Sequence, residues 1–185
     1  PRLVDLDRDG QAEVVTIVSS VKLGASLAVF ALDGDRLKLA ARTEFIGRTH
    51  RWLNVAGLGD YDGDGKTDIA IVKTPHLGGA LEIWDFGGNR LFLIGSLNGF
   101  SNHVIGTRNL DISATIDADG DGRLELLVPS ADRKRLRHAG FLEGKLTEIN
   151  SFALYGKAVG VLLKSGRSKV EVQLADGRTQ TLSLN

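Results

Sequence analysis

Acidic residues recur at a fixed spacing in three separate segments of the chain. Each segment reads D-x-D-x-D-G-x-x-[DE], and the three begin at Asp5, Asp60 and Asp117. Carboxylates this close in a tight turn repel one another strongly unless a cation lies between them. All the candidate ligands are oxygen atoms, and Ca²⁺ accepts about six to eight oxygens in a flexible geometry, whereas Mg²⁺ requires a small octahedron. The spacing therefore predicts one Ca²⁺ site in each segment, about three in all.

The predicted ligands are the side chains at loop positions one, three, five and nine, together with the backbone carbonyl at position seven. In chain order these residues are Asp5, Asp7, Asp9, Gln11 and Glu13; Asp60, Asp62, Asp64, Lys66 and Asp68; and Asp117, Asp119, Asp121, Arg123 and Glu125. Gln11, Lys66 and Arg123 are expected to contribute only their carbonyl oxygens.

Two other classes of loop share parts of this pattern and are excluded. An EF-hand requires Glu at position twelve and a helix on each side, but position twelve holds Thr16, Ile71 and Val128. A phosphate-binding G-x-x-x-x-G-K-T loop requires Gly at the position of Asp60, and the neighbouring carboxylates would repel a phosphate.

The segments that follow each acidic loop predict β-strands. An apolar, β-branched run comes first, as in residues 14–18, 69–72 and 126–128, and two further runs then flank a Gly-containing turn. A final run leads into the next loop, so each repeat contains four antiparallel strands. The acidic loops start 55 and 57 residues apart, a period typical of multi-stranded blades. No helix is predicted. The fold class is therefore all-β, a β-propeller of four-stranded antiparallel blades.

The repeat pattern indicates a single propeller domain over 1–185, with repeats at approximately 1–51, 52–108, 109–157 and 158–185. The chain is expected to begin on an acidic loop that has no preceding strand, and the third repeat is expected to begin with a strand over 109–116. About three and a half blades result, which favours the C-terminal part of a larger propeller over a self-contained four-bladed ring. In the last repeat, residues 164–167 (KSGR) replace the acidic loop, so this repeat is expected to bind no metal.

The acidic loops and the strands around them resemble a known family. The segment GDYDGDGKTDIA at 59–70 is similar to the FG-GAP/VCBS repeat of bacterial surface and secreted proteins and of integrin α-subunit propellers. The resemblance covers roughly 1–150. It implies a propeller with Ca²⁺ bound between the first and second strands of a blade, held by the carboxylates named above. It also implies a periplasmic, secreted or cell-surface location, where Ca²⁺ is near millimolar.

A second candidate site lies in the loops at the other end of the strands, where basic and His residues collect. Twelve of the 23 acidic residues belong to the three acidic loops, which leaves 11 for the rest of the chain against a total of 23 basic residues. The candidate ligand-binding residues are His50, Arg51, Trp52, His76, Asn102, His103 and Arg108. An anionic glycan, a lipid headgroup or an acidic protein segment would fit these side chains. The alternatives are ordinary solvated loops or a His metal cluster.

Composition and missing motifs exclude several other function classes. The chain has no Cys, so it has neither a disulfide framework nor a thiolate zinc site. Its longest apolar run, residues 158–163, is far too short for a membrane span. Aromatic residues make up 6% and are not interleaved with basic ones, which argues against nucleic-acid binding. No G-x-S-x-G elbow is present. We therefore predict a calcium-stabilised, extracytoplasmic binding or scaffold module rather than an enzyme. A polysaccharide lyase or hydrolase, or an accessory domain of one, is the alternative. The oligomeric state is not indicated.

Overall fold

The computed structural model describes residues 1–163 and 169–184, with side chains for 1–161 and 169–184. Every regular element within these ranges is a β-strand. The strands are β1 (Arg2–Val4), β2 (Glu13–Ser20), β3 (Gly24–Asp33), β4 (Arg36–Arg42), β5 (Leu53–Gly59), β6 (Asp68–Lys73), β7 (Ala80–Gly87), β8 (Arg90–Asn98), β9 (Ala114–Ile116), β10 (Glu125–Pro129), β11 (Arg135–Leu142), β12 (Lys145–Ala153), β13 (Ala158–Leu163), β14 (Lys169–Leu174) and β15 (Thr179–Ser183).

These strands form four separate antiparallel sheets, each following chain order. β1–β4, β5–β8 and β9–β12 form four-stranded sheets, and β13–β15 form a three-stranded sheet. The prediction of an all-β fold built from four-stranded antiparallel blades is confirmed. The KSGR segment at 164–167, predicted to bind no metal, lies outside the described residues.

Two strand predictions were wrong. The chain does not begin on an acidic loop, because β1 precedes it and pairs with β2 through Leu3↔Val14. In the third repeat only β9 is a strand, whereas residues 109–113 form a loop. There Asn109 uses its side-chain amide to donate to Val159 O (2.7 Å), and its Oδ1 accepts the N–H of Asp111 (2.9 Å). These side-chain hydrogen bonds, one to the distant Val159 and one within the loop, replace the ladder that a strand would need.

Consecutive sheets pack face to face through three apolar cores. The core between the first and second sheets contains Leu27 and Ile71, that between the second and third contains Ile83 and Val128, and that between the third and fourth contains Leu136 and Val172. Each of these side chains is buried. Burial of one face of each sheet against the next is the packing of propeller blades, and it sets the strand ends side by side.

A β-bulge recurs at one register in the first three sheets. It lies in the pairing of the third strand with the fourth, between Val29 and Phe30, between Ile83 and Trp84, and between His138 and Ala139. The residue before each bulge is paired with the same repeat position of the second strand, which is Val15, Ala70 and Leu127 in the three sheets. A bulge increases local twist, so the three blades share one shape as well as one strand order.

The antiparallel meander separates the loops into two groups. Loops joining the first to the second strand of a sheet, and the third to the fourth, lie at what we call the acidic end. Loops joining the second to the third strand, and one sheet to the next, lie at what we call the basic end. No helix in the described residues is long and apolar enough to cross a membrane.

Candidate functional site

The three acidic loops each bring three carboxylates together at the acidic end. In the first loop Asp5, Asp7 and Glu13 place one oxygen each within 4.8 Å of one another. The corresponding sets are Asp60, Asp62 and Asp68 in the second loop and Asp117, Asp119 and Asp121 in the third. The first two sets therefore use positions one, three and nine, whereas the third uses positions one, three and five.

The carboxylate at position nine starts the second strand and is fixed by the loop it closes. Glu13 accepts the backbone N–H of Leu6 (2.9 Å), Asp68 that of Tyr61 (3.0 Å), and Glu125 that of Ala118 (2.8 Å). Burial raises the pKa of all three carboxyl groups, and for Asp68 it raises the pKa to about 7 with further contributions from neighbouring carboxylates. A nearby divalent cation would favour the ionised form instead.

The carboxylate at position five turns back to its own loop. The Oδ1 atoms of Asp9, Asp64 and Asp121 each accept the backbone N–H two residues later, at 2.7–2.8 Å. The remaining oxygen of Asp64 accepts from Lys66 Nζ (3.0 Å), and that of Asp121 accepts from the Arg123 guanidinium (2.8 Å from Nε). These cations compete with a metal for position five in the second and third loops. The predicted carbonyl ligands at position seven stay a prediction.

The tight turn of each loop requires two residues with positive φ. Position six is Gly in every loop, with φ of 89° at Gly10, 90° at Gly65 and 92° at Gly122. Position four is Gly63 and Gly120 in two loops but Arg8, with φ of 62°, in the first. Glycine avoids the steric cost of this backbone conformation, so the Gly residues of the motif shape the loop rather than bind the metal.

The donor set fits a divalent cation. Asp5 Oδ1 and Asp68 Oδ1 are buried and have no hydrogen-bond partner. A buried carboxylate oxygen without a partner is costly unless an ion or a water completes it. All side-chain ligands are oxygens, the set that Ca²⁺ prefers. The residues at positions one, three and nine of the first two loops can therefore hold Ca²⁺, and those at one, three and five can hold it in the third.

Neighbouring acidic loops are bonded directly to one another. The backbone N–H of Thr67 in the second loop donates to Leu6 O in the first (3.2 Å), and that of Leu124 in the third donates to Asp60 O in the second (2.9 Å). A Cβ atom on Gly63 would lie 2.8 Å from the side chain of Arg123. The three candidate metal sites thus form one continuous structure.

The sequence of the chain matches the model of a known repeat family. The model of the FG-GAP-like repeat matches residues 5–71 and again 60–128. The chain belongs to the FG-GAP-like repeat family. Each match begins at the first carboxylate of an acidic loop and ends in the second strand of the following sheet, which is β6 for the first match and β10 for the second.

Solved structures similar to this FG-GAP-like chain include the exotype rhamnogalacturonan lyase YesX. The two are 15% identical with a TM-score of 0.48, and the alignment covers 95% of this chain. The chain spans 42% of the length of that lyase. No curated protein sequence matches the chain.

At the basic end of the FG-GAP-like repeats, the structure brings together Trp52, His76 and His103 from three different loops. The ring of Trp52 lies edge-on to His103 with centroids 4.3 Å apart and is stacked with His76 at 6.0 Å. His76 Nε2 and His103 Nδ1 are 2.8 Å apart, and His103 Nε2 lies 3.2 Å from Thr107 O. A carbonyl only accepts, so Nε2 of the neutral His103 ring carries the proton and His76 Nε2–H donates to His103 Nδ1. His76 Nδ1 is left as an acceptor.

The other predicted ligand residues are divided between this cluster and its surroundings. His50 and Arg51 line a pocket of about 190 Å³ with Trp52 and His76. Asn102 is completely buried, and its amide donates to Val55 O (3.2 Å), so it positions the loop rather than lining the surface. Arg108 is exposed and does not line this pocket. Burial lowers the pKa of both His76 and His103, and the nearby Arg133 lowers both further.

Backbone strain is concentrated around this cluster. Six described residues other than Gly have positive φ, and three of them, His50 (57°), Thr74 (54°) and Arg133 (59°), line the pockets on either side of His76. A β-branched residue such as Thr74 rarely adopts this conformation. Strained residues persist where the surrounding structure holds them and collect at functional sites.

His138, a buried histidine beside the third acidic loop, escaped the sequence prediction. His138 is 5% exposed, and its Nε2 has no hydrogen-bond partner and lies 3.8 Å from Glu125 Oε2. Its register position corresponds to Val29 and Ile83 in the first two sheets. Comparing the three repeats position by position gives the signal, because a His there replaces two apolar residues.

Proposed function

We propose that the chain is a calcium-stabilised β-propeller binding module of an extracytoplasmic protein, and that it is not itself an enzyme. The observation that carries this proposal is the set of three acidic loops, each with three carboxylate oxygens within 4.8 Å of one another. The buried, unpartnered oxygens of Asp5 and Asp68 support a bound cation. Oxygen-only ligands in a loop that can adapt its geometry favour Ca²⁺ over Mg²⁺.

The proposed location follows from the metal. The position-five carboxylates of the second and third loops already accept from Lys66 and Arg123, which lowers the charge available to an ion. Sites of this kind fit the weak range of extracellular calcium modules, which fill only where Ca²⁺ is near millimolar. The FG-GAP-like repeat supports the same setting. Periplasmic, secreted and cell-surface locations all meet this condition.

The proposed binding role belongs to the basic end. Neither of the two pockets beside His76 has an acidic residue in its lining, whereas Arg51 lines one and Arg133 lines the other. His76 Nδ1 offers an acceptor, and Trp52 offers an aromatic wall. An anionic group that also carries a hydroxyl or an apolar ring would find a partner for each part.

Calorimetry with Ca²⁺ on the chelator-treated chain tests the metal assignment. We expect a stoichiometry of three, reduced to two by Asp62→Ala. A bound ligand at 100 times its Kd adds about 2.7 kcal/mol of stability per site, so EDTA should lower the melting temperature by many degrees. An unchanged melting curve in EDTA would refute the proposal.

Arrays of anionic glycans and lipid headgroups test the binding role. The calcium-loaded chain should bind an anionic target, and Arg51→Glu with His76→Ala should abolish binding without changing calcium stoichiometry. Binding should weaken steeply with salt, because exposed charges are screened beyond about 8 Å at physiological ionic strength. If the doubly substituted chain binds the array as well as the wild type does, the proposal that the basic end is the binding site is wrong.

A further inference from the structure

The basic end presents large apolar side chains to solvent at the tips of four loops. Val21 is 91% exposed, Leu77 60%, Ile105 74% and Tyr155 78%. They belong to the loops β2–β3, β6–β7, β8–β9 and β12–β13. Among the described residues, no loop at the acidic end exposes a large apolar side chain; Leu6 and Tyr61, which lie in those loops, are buried. Exposed apolar side chains at loop tips are therefore a property of the basic end alone within the described residues, which points to a function of that end.

The same loops carry an excess of positive charge. The described loops of the basic end contain eight basic and four acidic residues. Three of the acidic side chains are engaged, because Asp176 pairs with Arg178 and Asp111 with Arg2, and Asp132 accepts from its own loop. A cation follows closely after three of the four apolar tips. Lys22 follows Val21, Arg108 follows Ile105, and Lys157 follows Tyr155.

Backbone hydrogen bonds hold these loops in fixed positions. Each of the four is tied to a neighbouring loop: Gly47 N donates to Leu23 O (2.8 Å), Thr74 N to Trp52 O (2.8 Å), Ala131 N to Gly99 O (2.8 Å) and Leu154 N to Lys134 O (2.9 Å). The β4–β5 loop is tied to β3 in the same way, through Ala25 N and Arg51 O (3.0 Å). The tips are therefore presented together at one end, and little ordering would be needed on contact with a partner.

We propose that the basic end docks on an anionic lipid surface, with Val21, Leu77, Ile105 and Tyr155 entering the interfacial layer. This proposal rests on the binding role proposed above and names its partner. Apolar anchors on separate loops, three of them followed closely by a cation, suit a lipid interface, where apolar side chains enter the interfacial layer and the cations meet anionic headgroups. A protein partner would instead require a contiguous apolar centre surrounded by a polar rim. The pocket beside His76 would then receive a headgroup.

Vesicle co-sedimentation of the calcium-loaded chain tests the proposal. The probes are vesicles of phosphatidylcholine alone and of phosphatidylcholine mixed with phosphatidylglycerol. We expect binding to the anionic vesicles only. Val21→Asp with Ile105→Asp should weaken it by about tenfold or more, and Lys22→Glu by about tenfold. The matched controls are Leu37→Asp, at an apolar residue 58% exposed on β4, and Lys145→Glu at the acidic end. Neither should change binding.

The outcomes separate this proposal from the one on which it rests. Absence of vesicle binding, or equal losses in the test and control variants, would overturn the lipid surface as partner. Binding to an anionic glycan array with no vesicle binding would overturn it too, while leaving the proposed binding role intact. Calcium stoichiometry, measured on every variant, shows whether the metal sites survive. Loss of both array and vesicle binding with metal bound would reject both roles.

Discussion

The backbone N–H of Leu124 donates to the carbonyl oxygen of Asp60 over 2.9 Å. Asp60 also supplies the first carboxylate of the second acidic loop, and Leu124 precedes the carboxylate that closes the third. An ion that orders the second loop therefore also fixes the carbonyl of Asp60, to which the third loop is hydrogen-bonded. The second loop is bonded in this way on both sides, since Thr67 donates to Leu6 O.

Metal binding at the three loops should consequently be coupled. Asp62→Ala in the second loop should remove one site and weaken the remaining two by several fold, for a coupling free energy of about 1 kcal/mol. Asp7→Ala serves as the control, because among the described residues the first loop is bonded only to the second loop, and the substitution should affect chiefly that one. Calorimetric titration measures both effects. Unchanged affinities at the remaining sites of the Asp62→Ala variant would show that the loops bind independently.

Gly63→Ala should destabilise the chain more than Gly10→Ala. Both positions have positive φ, 85° and 89°, so both substitutions carry a backbone cost of about 1 kcal/mol. A Cβ at Gly63 would also lie 2.8 Å from Arg123, whereas at Gly10 nothing lies within 4 Å. The extra loss in free energy of unfolding, read from denaturant titration, should be about 1 kcal/mol. Equal losses would show that Arg123 moves aside freely.

Tyr61→Phe should loosen the contact between the second and third sheets. The Tyr61 hydroxyl is buried and hydrogen-bonded to Thr115 Oγ1 (2.9 Å), and burial raises the pKa of this tyrosine well above its usual value. Its removal should cost about 1–2 kcal/mol, because Thr115 loses its partner. Tyr155→Phe, at an exposed position, is the control and should cost almost nothing. Thermal unfolding of the two variants side by side gives the comparison.

Acid should weaken the basic end through the histidine pair. The pKa values of His76 and His103 are lowered in the folded chain, mainly by burial, so the folded state prefers neutral rings. Their stabilising contribution is present above the unfolded pKa of about 6.5 and is lost as pH falls through the lowered folded values. Protonation of His103 Nδ1 would also remove the acceptor for His76.

The measurement is the melting temperature at saturating calcium between neutral pH and about pH 5.5, a range that includes the ordinary histidine pKa of about 6.5. The wild type should lose several degrees, and His103→Gln, which keeps a donor for Thr107 O, should lose fewer. His50→Gln is the control at an exposed position. A decline in His103→Gln as steep as that of the wild type would assign the acid sensitivity to other groups.

Much of the fold follows from local sequence, because alternating apolar residues and Gly turns repeat with the acidic loops. β1 was missed because three residues, Arg2 to Val4, hold no pattern of their own and are strand only through pairing with β2. The loop at 109–113 was missed because Asn109 satisfies backbone groups that a strand would have used. In both cases a partner distant in sequence decides the local structure.

The site was less accessible to sequence reasoning. The spacing indicates which carboxylates share a loop, but whether position five faces an ion or its own backbone depends on competing hydrogen bonds and on Lys66 and Arg123. Likewise, His76 and His103 were recognised as candidates from separate loops, yet their 2.8 Å contact exists only once two sheets are packed. The exposed tips were missed because a single apolar residue in a loop carries no periodic signal.

The β-bulge after Val29, Ile83 and His138 bears on how the chain arose. Three independent acquisitions of one irregularity at one register are a less economical history than a single ancestral hairpin that already had it and was then copied in tandem. His138 would be a substitution that arose after the duplication, because the corresponding residues in the other two copies are the apolar Val29 and Ile83. The hairpin that carries the bulge is thus the inherited unit, and a transplant of residues 80–96 into the place of 26–42, which keeps the bulge in register, should be tolerated.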